Sequence, residues 1–337
     1  MYHPPLRKMK TIKIPVFGSM LLWLLTAGSL RAGLLAYEGF NYTNSANTHL
    51  VGGNGGIGWS NSWYGTDQDA FGWTDVSYPG FSFSQSNRSL VVTGGKGDII
   101  ANSGAHAGVN RNLNVLPGGP FDALLETGSG LIGKAGTDVW FGFLLNPTIA
   151  HSGQTGVLPG VYLSPGLCGV GFDSLQNKPN FAPNVPVNFG QTYSVVIHIM
   201  FGGGGNDSLV EYYNPVPGGS APLGAQGTNQ LTGDFRFSFV NLNGGGTAGF
   251  ATAMQVDEIR LGTTYADVAP TLIPPLYLMM VSNAPVLVWP DDGAAHTVQT
   301  TTNLSSGPWV TVSNPVPMVG VYLTNSPVPP NAFFRLQ

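Results

Sequence analysis

The sequence predicts an all-β protein. Nearly every apolar segment has strand length and is closed by Gly, Pro, Asn or Asp. Glycine-rich clusters such as Gly202-Gly203-Gly204-Gly205-Asn206-Asp207 and Asn243-Gly244-Gly245-Gly246 separate the segments. No run of twelve residues carries a helical apolar stripe. Together these features predict an antiparallel sandwich or jelly roll.

The chain opens with Arg7, Lys8, Lys10 and Lys13, then an apolar stretch from Ile14 to Leu30 containing Met20-Leu21-Leu22-Trp23-Leu24-Leu25. Small Ala32 follows. This order predicts a secretory signal peptide over 1–32, and hence a secreted, cell-surface or periplasmic protein. Pro15, Gly18 and Ser19 interrupt the apolar core and argue against a full membrane span. An uncleaved signal segment is the one membrane contact expected.

Five of the 13 Lys+Arg and none of the 17 Asp+Glu lie in that leader, so the remainder carries a net −9. After Ala32 no basic cluster occurs, which argues against nucleic acid as a partner. Charged residues are only 9%, and Gly 48 and Pro 26 are numerous, a balance suited to an exported β protein. With the single cysteine, Cys168, no intramolecular disulfide can form. Its apolar neighbours predict a buried, inert thiol.

Strands are expected at 35–42, 81–84, 89–93, 138–145, 160–164, 169–172, 192–201, 208–213, 235–240 and 254–261. Tyr193, Val195, Ile197, Ile199 and Phe201 should line one face, and Phe235, Phe237 and Phe239 another. The 138–145 run is apolar on both faces, as in a sandwich core. A Pro-rich linker at 270–275 divides a domain over 33–269 from a small sandwich over 276–337, with strands at 276–281, 285–289, 297–302, 309–312 and 333–336.

Three stretches carry a resemblance: Leu35-Ala36-Tyr37-Glu38-Gly39-Phe40 with Gly52 to Trp59, then Gly190 to Ile199 running on to Glu211-Tyr212-Tyr213-Asn214-Pro215, and Val256-Asp257-Glu258-Ile259-Arg260-Leu261-Gly262. They resemble the laminin-G-like, concanavalin A-like jelly-roll domains of secreted planctomycete and verrucomicrobial proteins. The tail, with Val286 to Pro290, Val298 to Leu304, Trp309-Val310 and Phe333 to Leu336, is similar to the immunoglobulin- or fibronectin-like module of the same proteins. The resemblance implies a concanavalin A-like jelly roll followed by a small immunoglobulin-like β-sandwich. It implies export, and little about activity.

Several patterns resemble functional motifs without meeting their chemistry. Gly128-Ser129-Gly130-Leu131-Ile132-Gly133-Lys134-Ala135 mimics a phosphate loop, but Ala135 lacks the hydroxyl and a strand follows. No nucleotide is therefore expected. Asp257 and Glu258 are adjacent on a strand, so alternation should send them to opposite faces, one bonding a loop and one meeting solvent. His198 is expected to be a satisfied sheet residue. No paired-carboxylate strand, triad or metal motif occurs, which predicts that the chain is not an enzyme.

Binding chemistry concentrates at 59–78. Trp59, Trp63, Tyr64, Trp73 and Tyr78 offer rings for stacking on sugars, and Asp67, Asp69 and Asp75 offer oxygens for Ca²⁺. The expectation is a non-catalytic carbohydrate-binding or adhesion protein whose partner is an extracellular polysaccharide or cell-surface component. A polysaccharide-cleaving enzyme of the same fold and a structural envelope component are the alternatives.

Overall fold

The computed structural model describes residues 33–42, 49–66, 72–102, 107–149, 159–165, 168–173, 178–179, 185–245, 252–271, 277–281, 284–289, 298–303, 307–311, 321–324 and 333–336. Residues 1–32, expected to be a signal peptide, lie outside them. Among the described residues, no helix is long and apolar enough to cross a membrane.

The strands, in chain order, are β1 (Leu34–Glu38), β2 (Tyr64–Gly65), β3 (Gly72–Ser77), β4 (Ser84–Gln85), β5 (Arg88–Ser89), β6 (Lys96–Ala101), β7 (Gly108–Asn112) and β8 (Asp138–Ile149). They continue with β9 (Gly160–Pro165), β10 (Cys168–Asp173), β11 (Lys178–Pro179), β12 (Tyr193–Met200), β13 (Asp207–Tyr213), β14 (Gly227–Gly233), β15 (Phe237–Asn243) and β16 (Thr252–Gly262). A four-residue helix, α1 (Tyr265–Val268), follows, capped reciprocally by Thr264 and Asp267. Last come β17 (Tyr277–Val281), β18 (Ala284–Trp289), β19 (Val298–Thr301), β20 (Val310–Thr311), β21 (Val321–Thr324) and β22 (Phe333–Leu336).

The protein is an all-β antiparallel sandwich. An eight-stranded sheet runs β14-β13-β12-β8-β16-β6-β3, with β1 also paired to β16, and a six-stranded sheet runs β11-β10-β9-β15-β7-β2. The tail strands form two three-stranded sheets, β17-β18-β21 and β20-β19-β22.

Alternation places the core. On β12, Tyr193, Val195, Ile197 and Ile199 are buried, and Phe201 just beyond joins them. They meet Val161, Leu163, Val240 and Leu242 of the other sheet. Cys168 joins the same core at 1% exposure, and burial, with Glu211 and Asp207 nearby, pushes its thiol well up.

Two β-bulges break the expected alternation. Between Phe237 and Phe239 the register of β15 on β9 shifts, so Phe237 points to the core while Phe239 joins the outer face. The expectation that Phe235, Phe237 and Phe239 share one face is corrected accordingly. Between Asp257 and Arg260 the register of β16 on β8 also shifts, and Glu258 takes φ 53. The extra residue turns Asp257 and Glu258 toward one segment. Asp257 Oδ2 accepts the Phe81 N–H at 2.8 Å, and Glu258 Oε1 accepts that of Thr93 at 2.6 Å. Opposite faces and a solvent carboxylate are thus both corrected; Glu258 is 1% exposed.

A second small core lies on the outer face of the eight-stranded sheet. Phe83 and Leu90 pack there on Leu144, Val196, Tyr265 and Val268.

Candidate functional site

Strand β7 reads Gly-Val-Asn-Arg-Asn, and β15 after its bulge reads Phe-Val-Asn-Leu-Asn. Val109 and Arg111, and Val240 and Leu242, point inward and are buried. Asparagines therefore occupy the outer face of the six-stranded sheet. Directly opposed residues share a face. Tyr64 pairs Asn110, Asn110 pairs Asn241, and Asn241 pairs Tyr162. The result is one row across β2, β7, β15 and β9. Three inter-strand steps of about 4.8 Å make it roughly 14 Å long.

Asn241 Nδ2 donates to Asn110 Oδ1 at 2.8 Å, and the Tyr64 hydroxyl donates to Asn112 Oδ1 at 3.0 Å. These bonds leave the Asn110 and Asn112 amide nitrogens and Asn241 Oδ1 open to a ligand among the described residues. Tyr64 is 42% exposed at one end of the row. Tyr162 is 7% exposed at the other, and burial raises its phenol above the ordinary range. Every side chain in the row is neutral in charge.

Beneath the row, Arg111 locks the edge of the sandwich. Its guanidinium pairs with buried Glu38, donates from Nη2 to Gly55 O at 2.8 Å and Asn54 Oδ1 at 3.1 Å, and from Nε to Asn61 O at 3.0 Å. It lies over Trp59 and Trp63, 4.9 and 5.7 Å from the ring centroids. Asn61 in turn accepts the Asn112 N–H at 2.8 Å. The loop that delivers Tyr64 is thus fixed from inside.

The aromatic residues expected at the site divide. Trp63 is 1% exposed and donates to Glu38 Oε2, so it is a core residue and is corrected as a ligand contact. Trp59 is half-buried and donates to Tyr37 O. Tyr64 alone reaches the row. Trp73 is 38% exposed but stands on β3, in the other sheet. Tyr78 is 52% exposed, with its hydroxyl donating to Tyr42 O at 2.8 Å. Asp67 and Asp69 lie outside the described residues, and Asp75 is bonded to His49 at 3.2 Å. Among the described residues no three of His, Cys, Asp and Glu gather as a metal site.

His198 behaves as a sheet residue: its Nε2 lies 2.7 Å from Asp138 Oδ2 and its ring stacks on Trp140 at 3.9 Å. The glycine run at 128–135 is a turn whose following element is β8. Asn110, Asn112, Asn241 and Tyr162 escaped the sequence reading. Their signal was present in Val-Asn-Arg-Asn and Val-Asn-Leu-Asn, where amides alternate with inward side chains.

No family model and no curated protein sequence matches the chain. Among solved structures, it is similar to an endo-β-1,4-glucuronan lyase from the fungus Trichoderma reesei, at 16% identity and TM-score 0.35, over 66% of this chain and 96% of that one. It is similar to the PL-14 alginate lyase from Aplysia kurodai, at 8% identity and TM-score 0.30, over 58% and 100%. A Trypanosoma rangeli sialidase matches at 16% identity and TM-score 0.28, over 61% of this chain and 31% of its own. The chain thus spans about a third of the sialidase's length. These neighbours are enzymes, and the expectation that the chain is not an enzyme is corrected. That expectation rested on a missing carboxylate motif, which rules out one catalytic layout alone. Scores this low transfer no residue role, substrate or activity.

Proposed function

We propose that this is an exported polysaccharide-cleaving enzyme that lays its glycan across the outer face of the six-stranded sheet. The observation that carries this reading is the row Tyr64–Asn110–Asn241–Tyr162. Amides both donate and accept, which suits sugar hydroxyls and ring substituents. The exposed Tyr64 ring offers a flat apolar surface at the open end. Tyr162 closes the row. Its phenol is protonated at neutral pH, and in this reading it gives that proton to a departing glycosidic oxygen. The leader at 1–32 carries export in this reading, and the strands from Tyr277 onward form an appended module.

The test is an incubation with a panel of neutral and uronate polysaccharides, following new reducing ends and the ultraviolet absorbance of unsaturated products. Cleavage of one class, lost in Tyr162→Phe and weakened in Asn241→Ala, supports the reading. Binding without cleavage across the panel refutes it, as does cleavage indifferent to both substitutions.

A further inference from the structure

After β3 the chain crosses the outer face of the eight-stranded sheet. It turns through the β4–β5 hairpin and returns into β6. Phe83 and Leu90 on this crossing are buried in the second core. Its two ends are tied by neighbouring acids, Phe81 N–H to Asp257 and Thr93 N–H to Glu258. Its middle holds the chain that leaves α1. The Val91 N–H donates to Pro270 O at 2.9 Å, and the Thr271 hydroxyl to Ser89 O at 3.2 Å.

We propose that residues 80–93 form a pH-releasable strap, latched to the sheet by Asp257 and Glu258. The inference stands independently of the activity proposed above. Two consecutive acids at a bulge grip both ends of one segment, so a change at that single point frees both ends. Glu258 holds a left-handed φ of 53, a conformation that a non-glycine residue keeps only while its surroundings enforce it.

Few charges answer the pair. On β16 the Arg260 guanidinium bonds Glu258 Oε2 and reaches Val91 O at 3.1 Å. On β1 the Tyr37 hydroxyl donates to Glu258 Oε1 at 2.9 Å. On β6 Lys96 faces Asp257 and donates to Pro79 O at 2.8 Å. Burial pushes Asp257 up to about 8, against N–H bonds that hold it down, and raises Glu258 as well. The closed strap therefore keeps a proton that the open one releases. Asp257's contribution to closure is complete below the ordinary carboxylate range and is lost as pH rises toward about 8. Opening bares the Phe83 and Leu90 underside and releases the contacts to Pro270 and Thr271.

Trypsin cleavage at Arg88, on the hairpin, reads the opening. Rates are normalised at each pH to an unstructured peptide of the same sequence. In the full chain the normalised rate should climb by up to about tenfold per pH unit from about pH 6 to 8, then level off. Asp257→Asn should flatten the climb. A rate independent of pH in the wild type overturns the proposal, as does an unchanged climb in Asp257→Asn. Hydrogen exchange of the wild type supplies the check that needs no variant. Corrected for intrinsic rates, residues 80–93 should lose protection with pH while β12 keeps it. Equal loss in both also overturns the strap.

Discussion

Arg111 and Glu38 form an ion pair inside the sandwich, with side chains 1% and 0% exposed, and join β7 of one sheet to β1 of the other. The pair is fully serviced: Glu38 also accepts from the Phe40 N–H at 2.7 Å and the Tyr42 hydroxyl at 2.6 Å. Removing one partner leaves a buried charge uncompensated. Arg111→Met should therefore destabilise the fold by about 3–5 kcal/mol in urea unfolding. Adding Glu38→Gln to it should restore part of that loss, since the neutral amide oxygen still accepts from these donors.

Trp63 and Trp73 should separate by stability. Trp63→Ala opens a cavity and removes one of three donors to Glu38 Oε2, so a loss of about 3–5 kcal/mol is expected. Trp73→Ala, at an exposed position, should stay within about 1 kcal/mol. Thermal melts of the two variants distinguish them.

Glu211 has 0% exposure and an oxygen, Oε1, with no hydrogen-bond partner among the described residues. Burial raises its carboxyl to about 8, while Asn229 and Tyr213 donate to Oε2. The native state holds a proton that the unfolded chain gives up. Its contribution is complete below the ordinary glutamate range and lost as pH rises to about 8. Glu211→Gln should reduce the fall of unfolding free energy with pH by up to about 1.4 kcal/mol per unit across that window.

On the outer face, Tyr64→Ala and Asn241→Ala should each weaken glycan binding about tenfold, or about 1.4 kcal/mol. Their melting midpoints should stay close to the wild type's. Calorimetric titration with an oligosaccharide of the cleaved class checks both.

Much of the sandwich was legible. The apolar face of β12 follows from alternation, and the doubly buried β8 from a run that is apolar on both faces. Strand β14, Gly-Thr-Asn-Gln-Leu-Thr-Gly, was invisible because a neutral, half-exposed strand carries no apolar stripe. The errors at Phe239 and at Asp257–Glu258 have one cause. A bulge inserts a residue without any change in composition, and every side chain beyond it reverses face. The candidate site was harder to read, since it arises from register between strands distant in sequence. Tyr64 stands out in the sequence by its ring, while Asn110 and Asn241 gain meaning only when β7 and β15 lie side by side.

The neutrality of the Tyr64–Asn110–Asn241–Tyr162 row has a consequence for where such a surface can work. Attraction between full charges is screened within about 8 Å at physiological ionic strength and within about 3 Å at 1 M. Amide and phenol contacts at hydrogen-bond distance do not fade in that way. A grip made by these four side chains would hold as well in brine as in fresh water.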